Sequence, residues 1–158
     1  VALTVPSFYY IPAAKETSMR ILLAAVMLVG MSAPAFAEAG TSDADRQAIE
    51  QTIRGQMNAF QRDDAPGAFA FAAPGTQHRF GDAATFLDMV RRGYPPVYRP
   101  HGVDFTKLTT EDGEVLQSVE LIGPDGAPYT ALYTMEHEAD GQWRIVACML
   151  IPSQRVGA

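Results

Sequence analysis

The apolar positions of this chain change period once, near residue 100, and that change divides the domain. From Asp43 onward Ile49, Ile53, Met57 and Phe60 recur at steps of four, four and three, the spacing that lines one face of a helix. Ser42 with Asp45 three residues later forms a capping signature at its start, and the helix should stop at Asp63-Asp64. Asp64-Ala65-Pro66 restarts a helix, with Asp64 as cap and proline in the first turn. Gly67 to Ala73 is small and apolar and should lie flat on the core until Pro74-Gly75 ends it, while Thr76 to Phe80 has no clear period. Gly81-Asp82 opens a third helix through Phe86, Leu87, Met89 and Val90, with Gly93 placed as a left-handed terminator.

Beyond residue 101 the pattern alternates. Val103 to Thr110, Val115 to Ile122, Tyr129 to Glu138 and Trp143 to Ile151 read as strands. Asp112-Gly113, Gly123 to Pro128 and Asp140-Gly141 mark the turns between them. In the third strand Tyr129, Ala131, Tyr133, Met135 and His137 share one face. The fourth is apolar on both sides, Trp143, Ile145, Ala147 and Met149 against Val146, Cys148 and Leu150, which predicts a central or well-covered strand. Helices first and an antiparallel meander afterwards define an α+β domain.

The stretches IEQTIRGQMNAFQRDDAPGAFAFAAPG, FLDMVRRGYPPVYRP and LYTMEHEADGQWRIVACMLIP resemble the exported bacterial domain-of-unknown-function family 4864. That family sits within the nuclear-transport-factor-like, or cystatin-like, superfamily, and the resemblance covers about residues 44 to 152. It implies a cone in which a curved sheet of four or more strands wraps a long helix and leaves a pocket. It carries no established activity and no catalytic residues to transfer.

The N-terminus changes how much of the chain belongs to that domain. Met19-Arg20, the apolar run Ile21 to Val29 and Ala35-Phe36-Ala37 form the pattern of a signal peptide cleaved after Ala37. Residues 1 to 18 read as an upstream extension from a misplaced start, or as part of a long leader, and residues 38 to 158 as the single domain. The apolar core is about half the roughly 20 residues of a spanning helix, so cleavage is expected over retention as an anchor. The protein is then periplasmic or secreted, with no stable membrane insertion. Removing Lys15, Glu16 and Arg20 leaves 10 Lys and Arg against 17 Asp and Glu, a net charge of −7. Such a balance argues against nucleic acid or anionic membranes as partners. Cys148 is the one cysteine, so an ordinary core must hold the fold.

Against that acidic background, Arg91 to His101 reads RRGYPPVYRPH. Arg91, Arg92 and Arg99 suit carboxylates or phosphates, but they also suit a helix C-terminus or a pair with Asp82, Asp88 or Asp104. Tyr94 and Tyr98 flank Pro95-Pro96-Val97, either as a stiff aromatic rim or as a cover for the open end of the core. His101 completes the candidate ligand-binding set as a base or a solvated loop histidine. His78, His101 and His137 lack paired ligand spacing, so no metal and no cofactor is expected. Cys148 reads as a buried structural thiol. Tyr133, His137 and Trp143 line either a concave-side pocket or the core. Asp82 and Asp88 read as a cap and a solvated face.

Three functions remain open on these residues, and none includes an assigned catalytic residue. The first is non-catalytic binding of a small anionic or amphipathic ligand. The second is an interaction module, a homodimer or a dock for an envelope protein. The third is a small isomerase or lyase, for which Asp82, Asp104, Tyr94, Tyr133 and His101 supply residue types without a matching pattern.

Overall fold

The computed structural model describes residues 41–153. The leader, its cleavage after Ala37 and the extension over residues 1 to 18 lie outside the described residues. Helix α1 spans Asp43–Gln61. The Asp45 N–H donates to Ser42 Oγ at 3.1 Å and the Ser42 N–H donates to Asp45 Oδ2 at 3.0 Å, so both halves of the capping box close its first turn. Its buried face holds Ile49, Ile53, Met57 and Phe60. A Cβ at Gly55 would sit 2.5 Å from Phe71 Cζ. Glycine costs a helix interior about 1 kcal/mol, and here it lets an aromatic ring lie on the helix.

Helix α2, Ala65–Ala70, starts where expected, with the Gly67 N–H donating to Asp64 Oδ1 at 2.9 Å. The expectation that Pro74-Gly75 ends this segment is corrected: Pro74 instead opens helix α3, Pro74–Phe80. Proline is as well suited to a first turn as to a stop. The break comes earlier because Phe71 to Ala73 turns to the sheet, where the Ala73 N–H donates to Ile145 O at 2.8 Å and the Ile145 N–H to Phe71 O at 2.9 Å.

Helix α4, Ala83–Gly93, is capped by Asp82, which accepts from the Thr85 N–H and hydroxyl, both at 2.8 Å. Gly93 is its last residue and not a left-handed terminator; a glycine of positive φ, Gly81 at 79°, instead closes α3. Helix α4 ends because Tyr94 precedes Pro95, and a residue before proline is driven out of the helical region; Tyr94 has φ −133° and ψ 51°. The following PPVY forms helix α5, Pro95–Tyr98. The stretch Arg91 to His101 is therefore a helix end, a kink and a short helix.

Strands β1 (Gly102–Glu111), β2 (Glu114–Ile122), β3 (Pro128–His137) and β4 (Trp143–Pro152) form one antiparallel sheet in chain order. Val119, Leu121, Ala131, Tyr133, Met135 and Ile145 are buried in the core with Ile49, Ile53 and Phe60 of α1. Strand β4 is an edge strand and not a central one, and it is covered in part by Phe71 to Ala73. Its apolar alternation is also corrected. Met135 pairs with Ile145 but Thr134 with Ala147, so Val146 is an extra, bulged residue. The bulge swaps which parity faces inward: Ile145 is followed on that face by Cys148 and Leu150, paired with Tyr133 and Ala131. A strand that reads as apolar on both sides is thus one inward face interrupted. A second irregularity lies between Phe105 and Leu108 of β1, and bulges of this kind bend the strands that carry them.

Candidate functional site

The cationic residues and the aromatic rings of Arg91 to His101 point to different places. Tyr98 is buried, its ring centroid 6.2 Å from that of Phe60, and its hydroxyl donates to Asp63 Oδ1. Arg99 Nη2 donates to the other oxygen of Asp63 at 3.0 Å, and its guanidinium lies 5.1 Å from the Tyr98 ring centroid. Arg91 approaches the same ring at 5.9 Å. Asp63, at φ 56°, occupies the left-handed turn between α1 and α2, a conformation that aspartate tolerates better than most residues. Arg92 pairs with Asp88 one turn earlier on α4. His101 is exposed and its N–H donates to Ile122 O at 2.8 Å at the start of the sheet.

Tyr94 faces elsewhere. Between α3, α4 and the bulged half of β4 lies a cavity of about 50 Å³, lined by Thr76 and Phe80 of α3, Phe86, Met89 and Val90 of α4, and Val146, Ala147 and Cys148 of β4. Gln56 and Phe60 of α1 form its floor with Ala72, Ile145, Val97 and Tyr94. Of the six candidate residues, Tyr94 alone lines it. Among the described residues no Asp, Glu, His, Lys or Arg does.

Local rules build this cavity. The bulge at Val146 frees a backbone carbonyl that accepts from Thr76 Oγ1 at 2.7 Å, fixing α3 to β4. Gln77 Nε2 donates to Phe69 O at 3.0 Å and Ala72 O at 2.9 Å, which holds the segment beneath it. Phe86 meets Phe60, Phe69 and Phe80 with centroid distances of 5.9, 5.4 and 5.2 Å, a cluster of aromatic contacts of favourable tilt.

The polar groups at the sheet end of the cavity stay protonated at neutral pH. Burial pushes the Cys148 thiol up to about 12. Burial, and secondarily the neighbouring Cys148, pushes Tyr94 up to about 12. The fully buried Tyr133 is raised well above its ordinary value, again by burial first and by Cys148 second. The Tyr133 hydroxyl lies beside the Cys148 thiol, but the approach lacks the geometry of a full hydrogen bond, and no oxygen or nitrogen is within reach. On the next strand Gln117, which pairs with Tyr133, donates from Nε2 to Ser118 O at 2.8 Å while its Oε1 is unpartnered. A protonated thiol is a poor nucleophile and a poor metal ligand.

The remaining candidates serve the scaffold. Trp143 Nε1 donates to Asp45 Oδ1 at 3.2 Å, and its ring lies 4.9 Å from that of His137; neither lines the cavity. Among the described residues no group of three or more His, Cys, Asp or Glu is placed to hold a metal, and no helix is long and apolar enough to cross a membrane. The sequence pattern gives Phe86 and Met89 as helix positions and Thr76 to Phe80 as a stretch without clear period, and only the tertiary placement of α3 against β4 brings them to one cavity.

Comparisons with known proteins add the following. A family model described as Domain of unknown function (DUF4864) matches residues 42–158. No curated protein matches the chain. The chain is similar to an NTF-2 like protein of unknown function from Burkholderia xenovorans LB400, known from a crystal structure, at 14% identity over 72% of this chain and 88% of that one, with a TM-score of 0.44.

Proposed function

The chain belongs to the DUF4864 family, and we propose that its domain binds a small amphipathic molecule, without catalysis, in the cavity between α3, α4 and β4. The observation that carries this reading is the lining: aliphatic and aromatic on α4 and β4, free of charged side chains among the described residues, with a few hydroxyl, amide and thiol groups. Apolar walls with a few placed polar groups are the usual make-up of a small-molecule site. General acid-base chemistry is disfavoured because among the described residues no carboxylate or imidazole lines the cavity and the thiol is held protonated. An anion is disfavoured too, since Arg92 and Arg99 are engaged by Asp88 and Asp63. The leader pattern of residues 19 to 37 supports action in the periplasm or outside the cell, which an N-terminal sequence of the exported protein beginning at Glu38 would bear out.

Thermal unfolding with short-chain alcohols, small enough for a cavity of about 50 Å³, tests the site. A ligand at tenfold its Kd stabilises the native state by about 1.4 kcal/mol. Met89→Trp, which fills the cavity, should abolish that shift. Stabilisation that survives Met89→Trp but disappears with Arg91→Ala, Arg92→Ala and Arg99→Ala together would move the site to the arginines.

A second reading, self-association through the outer sheet face, is favoured by one observation. Ile122, Met149 and Ile151 are 42%, 41% and 44% exposed there, and Leu132 pairs with Met149 beneath them. Light scattering that gives a monomer mass at high micromolar concentration would remove it.

A further inference from the structure

Resting on the cavity reading above, we propose that α3 is the movable wall of the cavity, a lid whose displacement uncovers Cys148 and admits occupants larger than the closed space. That space is about 50 Å³, less than twice the roughly 30 Å³ that one water molecule takes in the liquid, so anything bulkier than a short-chain alcohol needs a wall to give way. The walls differ in how firmly they are held. Strand β4 belongs to the sheet, and α4 is capped by Asp82 and buries Phe86, Leu87 and Val90. Helix α3 buries none of its seven residues, and Ala73 gives its start no side-chain cap.

The sequence of α3, PGTQHRF, accounts for the difference. Gly75 is the poorest helix former after proline, and a helix of two turns does not persist without tertiary contacts. Exposed Gly81, at φ 79°, ends it in a conformation that glycine holds without strain. Side-chain ties keep it shut. Thr76 Oγ1 donates to Val146 O at 2.7 Å, Gln77 Nε2 donates to Phe69 O and Ala72 O, and Phe80 meets Phe86 edge-on. Thr76 and Phe80 are also the residues by which α3 lines the cavity, so the contacts that close the helix close the cavity with it. Elements with few buried apolar contacts open at lower free energy than the core.

Cys148 reports the opening without any ligand. It lines the cavity, and burial pushes its thiol up to about 12; water reaching it restores the ordinary value, and only then does a thiol reagent attack readily. In the ligand-free protein at fixed pH, labelling of Cys148 by methyl methanethiosulfonate is compared with hydrogen exchange of the Gln77 and Gly81 amides, which donate within the helix at 2.9 Å. A Cβ added at Gly75 meets nothing within 4 Å, and Gly75 does not line the cavity. Gly75→Ala should therefore slow labelling and exchange alike, by about twofold to fivefold. Thr76→Val, which cuts the tie to Val146 O, should speed both by roughly fivefold. Asp63→Ala lowers global stability from outside α3 and should leave both rates unchanged. Labelling that accelerates in Asp63→Ala in step with global unfolding would overturn the lid, because Cys148 would then be uncovered only when the whole domain unfolds. Labelling that ignores both α3 substitutions while exchange responds would overturn it too, since α3 would fray without opening the cavity. Either result leaves alcohol binding in the closed cavity to be decided by the thermal shifts above.

Discussion

At the C-terminal end of α1, Asp63 gathers a tyrosine hydroxyl and a guanidinium on its two oxygens, with a second arginine over the same ring. At the cavity beyond α4 no charged group is present among the described residues, and burial raises the Cys148 thiol and the Tyr94 hydroxyl. The first region is conspicuous in composition and closed in structure. The second is inconspicuous in composition and open. Opposite charges placed within reach of each other satisfy each other, so a reversal of sign in an acidic chain here marks a tie between α5 and the α1–α2 turn. The cavity arises instead where a bulge and a short helix keep two apolar surfaces from meeting.

Substitution can break or sharpen this contrast. Phe60 belongs to both regions, packing at a tilt against Tyr98 and lining the cavity. Phe60→Ala should cost about 3–5 kcal/mol in denaturant unfolding, the range for a large buried aromatic, and should erase cavity binding as well. Asp63→Ala touches the tie alone. It should cost about 1–2 kcal/mol through the stranded Tyr98 hydroxyl and the lost ion pair, with ligand affinity at the cavity unchanged. Asp63→Asn should cost less, because asparagine accepts the same hydroxyl and tolerates the left-handed turn. Loss of cavity binding in Asp63→Ala would show that the two regions are one.

The opposite test leaves the tie intact and titrates the cavity. The Cys148 thiol ionises near 9.0 when unfolded and is pushed up to about 12 when folded. The unfolded chain therefore releases this proton first, and stability should fall as pH rises from about 9 towards 12, with Tyr94 adding to the fall over the upper part of that window. Cys148→Ala should shift the onset upward. Thiol reagents should label Cys148 slowly in the native protein and fast once it unfolds. The smallest effect belongs to Arg92→Ala. Its pair with Asp88 is exposed on both sides, so a change within about 0.5 kcal/mol is expected, as for most surface ion pairs.

Much of this fold is legible in the residues because it rests on local rules. The α1 face, the Ser42 and Asp64 caps, the Asp82 cap of α4 and the four strands follow from period and turn chemistry. Pro74 was misassigned because proline ends one helix and begins another with equal ease, and only the hydrogen bonds of Phe71 to Ala73 with Ile145 decide between them. Gly93 was misassigned because Pro95 already stops α4 through Tyr94. Strand β4 reads as central or well covered because a bulge at Val146 shows both its faces as apolar, and a bulge has no local signature when its neighbours are all hydrophobic. The cavity was hidden for the same reason. Its walls come from four elements distant in sequence, and residues such as Thr76, Met89 and Cys148 become a site only through pairing that no single window contains.

The central claim, that the uncharged cavity and not the cationic stretch receives the ligand, is tested most directly by intermolecular NOEs to a bound short-chain alcohol. The account predicts cross-peaks from the ligand to the methyls of Met89, Val90 and Val146, all of which line the cavity. Cross-peaks confined to Tyr98, Arg91 and Arg99 would contradict it.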